Sequence, residues 1–110
     1  MSQNILKSRH NTYGEFSSNA ALAQAIKSIF RQGPNWSLLK PYQQEALDQT
    51  ASKISRLLCG DPKHLDSWED ITLYNKLVVD RIRGEASTMR DENMSVSAGL
   101  GAHPVGYNAV

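Results

Sequence analysis

The sequence predicts an all-α fold: a bundle of three main helices, preceded by an N-terminal arm and followed by a loose C-terminal tail. Three observations predict it. Apolar residues recur at three- and four-residue spacing through three segments. Proline and glycine stand where those segments should begin and end. The sustained apolar–polar alternation that marks a strand is missing, and the β-branched pair Val78-Val79 sits inside a helical pattern.

The opening "MSQNILKSRHNTYGEF" scatters single apolar residues among polar ones and reads as a short helix or arm before a turn at Gly14. The first main helix is "SSNAALAQAIKSIFRQGP". Ser17 or Ser18 suits its N-cap, while Ala21/Leu22, Ala25/Ile26 and Ile29/Phe30 repeat at helical spacing. Gly33-Pro34 ends it, because glycine suits the position after the last turn and proline cannot continue.

The second begins near Pro41, whose fixed φ suits a first helical position. Plotted at about 100° per residue, Ala46, Leu47, Ala51, Ile54, Leu57 and Leu58 share one side. Glu45, Asp48, Gln49, Ser52 and Arg56 fall opposite, with Lys53 at the border, and Gly60 stops the helix. The third runs from about Pro62 or Ser67 to Ile82, with Gly84 as its stop. Beyond lies a segment rich in Gly and Ser without apolar period. The expected organisation is a helical domain over residues 1–84 and a flexible or partner-ordered tail over 85–110.

At 110 residues the chain is long enough for one domain with a small core. Its formal net charge of +1 supplies no single-sign field for sequence-specific DNA or a membrane surface. A single cysteine, Cys59, leaves no internal disulfide and suggests a reducing compartment. Without an apolar leader or a long apolar span, a cytoplasmic location is expected. Histidines 10, 64 and 103 lack the spacing of a zinc site, and no phosphate-binding loop or nucleophile elbow is present.

The chemistry-bearing stretch is "HLDSWEDITLYNKLVV", residues 64–79. Either Asp61-Pro62 or the Asp66/Glu69 spacing can cap the helix there. Glu69, Thr72, Lys76, Asp80 and Arg83 form a solvated face; Ile71, Tyr74, Val78 and Ile82 form a buried one. Asp66 and Asp70 share an intermediate stripe with Leu73, Leu77 and Arg81, which predicts that both are at least half buried. A carboxylate so placed needs a cation, a metal or several donors. Two outcomes stay open: an ion-pair network with Lys53, Arg56 or Arg81, or a site in which carboxylates four residues apart share a hard cation such as Mg²⁺.

Elsewhere, Lys53 and Arg56 suit a phosphate or the solvated flank of a helix. Glu45 and Asp48, three residues apart, suit a metal or plain surface solvation. Trp36 and Trp68 offer rings for a base or for the core.

Taken in order, "TYGEF", "QQEALDQTASKISRLLCGD" and "DSWEDITLYNKLV" resemble a family of small phage and prophage helical proteins of unassigned function, over about residues 8–82. The layout is more distantly similar to the nucleotide-modification-associated helical domains of phages and to MazG-like all-α nucleotide pyrophosphatases. In MazG-like enzymes, acidic ExxE and ExxD pairs on adjacent helices bind Mg²⁺ that grips a nucleotide triphosphate. The resemblance implies Glu45 and Asp48 for the first pair. At the second, Ser67 stands where the family has Glu, paired with Asp70, and Asp66 lies one residue away. The likeness therefore implies nucleotide binding more than turnover, a phage origin and action in the host cytoplasm.

The expectation is an accessory protein that binds a nucleotide or cyclic nucleotide and sequesters it against host defence. Lys53 and Arg56 take phosphate, Asp66 and Asp70 hold a cation or sugar hydroxyls, and Trp68, Tyr13 or Tyr74 stacks the base. Two alternatives stand beside it: a protein-binding inhibitor of a host enzyme, and a weak Mg²⁺-dependent nucleotide pyrophosphohydrolase. The small core and the second apolar stripe also predict a homo-oligomer.

Overall fold

A computed structural model describes residues 3–96, with side chains described over 4–88. The chain is all-α. In order it forms α1 (Gln3–Tyr13), α2 (Phe16–Phe30), a 3-10 turn (Trp36–Leu38), α3 (Pro41–Cys59) and α4 (Leu65–Val96), and no strand occurs among the described residues. α2, α3 and α4 are the three main helices, and α1 is the arm. Two compact units part between Asn75 and Lys76. Within the first, α2 packs along α3 and α1 touches both.

Helix boundaries follow local chemistry, with three corrections. α2 starts earlier than its serines suggest, because Glu15 is the N-cap: its carboxylate accepts from the Ser18 amide at 2.7 Å. Hydrogen bonds from Ser18 and Ser17 hold that carboxyl below its ordinary pKa. α3 opens on Pro41 as expected, and the Lys40 amide donates to the Gln43 side chain at 2.8 Å.

The second correction concerns α4, which neither Asp61 nor Asp66 caps. Asp61 instead organises the preceding turn by accepting from the Lys63 amide at 2.9 Å. The His64 carbonyl receives the first helical amides, from Ser67 and Trp68.

The third is that Gly84 does not stop α4, which continues to Val96. Glycine ends a helix readily when it turns left-handed, and the only described glycine with positive φ is Gly14. In a helix interior glycine costs only about 1 kcal/mol, too little to break a run without proline. The tail expected over 85–110 is thus helical as far as Val96; its remainder, 97–110, lies outside the described residues.

Small side chains make the core. Ala23, Ala46, Ala51 and Leu57 are buried, joined by Ser55 and Ser67. The face of α3 read as solvated is partly enclosed: Asp48, Ser52 and Arg56 are half-buried, while Leu47 and Leu58 of the apolar face are exposed. The reason is that α3 is contacted from more than one side, which a single amphipathic stripe does not anticipate. On α4 the face expected to be buried is only partly so: Ile71, Tyr74 and Val78 are half-buried and Ile82 is exposed.

Two glycines bring the chain turns together. Gly14 closes α1 at φ +85°, a backbone conformation that L side chains rarely adopt. A Cβ on Gly14 would collide with the Cys59 carbonyl, and one on Gly60 would collide with that of Thr12. The Asp61 amide donates to the Thr12 carbonyl at 2.8 Å. The α1–α2 turn therefore crosses the α3–α4 turn backbone against backbone, which sets Tyr13 above the last turns of α3.

Candidate functional site

Three elements line a cleft of about 600 Å³: the face of α1 ending at Tyr13, α2 from Phe16 to Lys27, and the Ser52–Arg56 turn of α3. That is the size of ordinary small-ligand sites. Its floor is polar and self-satisfied. The buried Ser55 hydroxyl donates to the Asn19 side-chain oxygen, and Asn19 Nδ2 donates to the Tyr13 carbonyl at 3.1 Å. These bonds tie α1, α2 and α3 together beneath the cleft.

Tyr13 is the centre of the site. The guanidinium carbon of Arg56 lies 4.8 Å from its ring centroid, and that of Arg9 lies 5.1 Å away. The His64 ring meets it edge-on at 5.4 Å. Cation–π contact orders a guanidinium without consuming its N–H donors. Neither arginine has a carboxylate partner among the described residues. Lys27 and His10 also line the cleft, whereas its acid, Glu15, already serves as the α2 cap. Positive charge is therefore in excess here, in a molecule whose overall charge nearly cancels.

The expected site residues divide into two groups. Tyr13 and Arg56 come together in this cleft. Lys53, Asp66, Trp68, Asp70 and Tyr74 do not line it. Lys53 Nζ instead pairs with Asp70 at 2.9 Å, its side chain only 15% exposed against 41% for the aspartate. The expectation that both aspartates are at least half buried holds for Asp70, which is half-buried, and is corrected for Asp66, which is exposed. The ion pair supplies Asp70 with the counter-charge its setting demands. Trp68 is 52% exposed, with its indole N–H donated to the Pro62 carbonyl at 2.9 Å. Tyr74 is half-buried.

The acids of "EALD" have partners as well. Arg31 grips Asp48 through both nitrogens at 2.7 and 3.1 Å, and Glu45 accepts from Gln49 at 2.8 Å. The hydrogen bonds to Asp48 raise the Arg31 pKa above its ordinary value. Among the described residues, no group of three His, Cys, Asp or Glu side chains is placed to hold a metal ion. No described helix is long and apolar enough to cross a membrane.

Sequence reasoning missed Arg9, Lys27 and Phe16. One signal was present: Arg9 and Tyr13 stand four residues apart and so share a helix face. Their meeting with Arg56 depends on the glycine crossing, which leaves no local pattern. Comparisons with protein families, with curated proteins and with solved structures return no match for the chain.

Proposed function

We propose that this chain binds a nucleotide or nucleotide-derived anion in the α1–α2–α3 cleft. The observation that carries the reading is the pair Arg9 and Arg56, both set against Tyr13 and both without a carboxylate partner among the described residues. Two like charges set against one ring repel: at a separation of about 10 Å and an effective dielectric constant of about 20, the cost is roughly 1.7 kcal/mol. A phosphate between them removes that repulsion and receives charge-assisted hydrogen bonds. Lys27 adds a point charge from α2.

The phosphate-binding role expected of Lys53 passes to Arg9, because Lys53 is occupied by Asp70. The reading is binding rather than turnover. Glu45, Asp48 and Asp70 are engaged by protein groups and Asp66 has no ion-pair partner among the described residues, whereas Mg²⁺-dependent hydrolysis needs carboxylates gathered on a cation. The likeness of "TYGEF" and "DSWEDITLYNKLV" to phage helical proteins suggests sequestration of a host signalling nucleotide, cyclic forms included, as the biological setting.

A thermal-shift panel of mono-, tri- and cyclic nucleotides tests this. A ligand at a hundredfold its Kd should raise Tm by roughly 10 °C. Arg9→Ala and Arg56→Ala should each abolish most of the shift. No shift across the panel overturns the reading.

Exposed apolar side chains favour a second reading, docking on another copy or a host protein through α4. Leu65, Trp68 and Leu73 are more than half exposed in the first unit, and Leu77, Val79 and Ile82 are exposed in the second. Light scattering over a range of concentrations checks self-association; a monomer throughout removes the homo-oligomer.

A further inference from the structure

The cleft holds a second aromatic ring with no assigned purpose. Phe16 is 82% exposed, the most open of the large apolar side chains. It lines the same cleft as Arg9, Arg56 and Lys27. No ring or cation covers it among the described residues. Leaving a phenyl ring in water forfeits roughly 1.5–3 kcal/mol of burial, so such a ring on the wall of a charged cleft calls for an occupant.

The other aromatics are less suited. Guanidinium groups and an imidazole surround Tyr13. Trp68 and Tyr74 lie away from the cleft. Phe16, by contrast, stands at a capped helix start. It is the first residue of α2, directly after the Glu15 cap and the left-handed Gly14.

From this placement we propose that Phe16 is the platform on which the base of the bound nucleotide stacks, while the cations across the cleft take its phosphates. This assignment rests on the cleft reading above and narrows it: the ligand must carry a flat, apolar-faced ring as well as negative charge. A phenyl ring offers no hydrogen bonds, so the platform accepts any base and leaves discrimination to polar groups. The site should thus rank ligands by stacking strength, purines above pyrimidines.

The test is calorimetric titration of the full chain with ATP and, separately, with inorganic tripolyphosphate, which has the charge but no ring. Phe16→Ala should weaken ATP binding by about five- to a hundredfold, the range for one base–aromatic stack. It should leave tripolyphosphate binding unchanged, and Phe16→Trp should retain or improve ATP affinity. Because Phe16 is exposed, the variants should keep the wild-type circular dichroism and Tm. If the wild type binds ATP and Phe16→Ala binds it equally well, the platform is overturned and the cleft reading survives. Wild-type binding of tripolyphosphate but not ATP also overturns the platform, and reduces the cleft to a plain anion site. If the wild type binds neither probe, the cleft reading falls and the platform with it.

Discussion

Lys53 and Asp70 form an ion pair at 2.9 Å between α3 and the second turn of α4. It is the ion-pair outcome that sequence reasoning left open beside the ligand roles, phosphate for Lys53 and a cation for Asp70. Each now neutralises the other, and the contact pins the start of α4 to the bundle.

The first prediction concerns that pair. Lys53 is largely enclosed, so removing its partner strands a charge, while the exposure of Asp70 limits the loss. Asp70→Asn should lower stability by about 1–2 kcal/mol, and Lys53→Met should show similar coupling in a double-mutant cycle. Denaturant unfolding measures both. Neither change should alter nucleotide affinity under conditions where the protein stays folded; a large specific loss of affinity would place the ligand at α4 instead.

The glycine crossing makes the second prediction. Gly14→Ala and Gly60→Ala each push a methyl group into carbonyl backbone that cannot move aside cheaply. Each should cost about 2 kcal/mol or more, read as a lower unfolding midpoint. The two effects should also be less than additive, since either change separates the same pair of turns.

Gly84 supplies a prediction of opposite sign. No heavy atom beyond its own helix backbone and chain neighbours lies within 4 Å of a Cβ built there, and α4 runs through it. Gly84→Ala should therefore raise helix content and stabilise by up to about 1 kcal/mol. A left-handed helix stop at this position would make the same substitution destabilising. Circular dichroism with thermal melting separates the two.

Acid titration gives a fourth. Glu15 has its folded pKa held below its ordinary value of 4.5 by the amides it caps. Such a carboxylate contributes stability that is present above the unfolded pKa and lost as pH falls through the folded one. Stability should thus decline below about pH 4.5. Glu15→Gln should flatten that decline while lowering stability at neutral pH. Identical acid profiles for the two proteins would contradict the cap.

Periodicity and end signals made the helices legible. Ala21 to Phe30 and the Pro41 start stand where the sequence placed them. The end of α4 was not legible at Gly84, because glycine signals a stop only through its φ, a property that the letter does not carry. The caps of α2 and α4 were misread for a related reason: several adjacent residues have capping chemistry, and backbone entry angles choose among them. Of the cleft, Tyr13 and Arg56 were found as isolated candidates. Arg9 was overlooked because it lies in an arm of scattered apolar residues with no chemical motif. The convergence of the three is a tertiary fact, created by Gly14 and Gly60 meeting across a long sequence gap.

The most direct test is an amide and guanidinium NMR titration of the labelled chain with ATP. Perturbations should concentrate on Arg9, Tyr13, Phe16, Lys27 and Arg56, and Arg56→Ala should remove them. A response centred on residues 66–74, or none at ligand concentrations well above the millimolar range, would contradict nucleotide binding in this cleft.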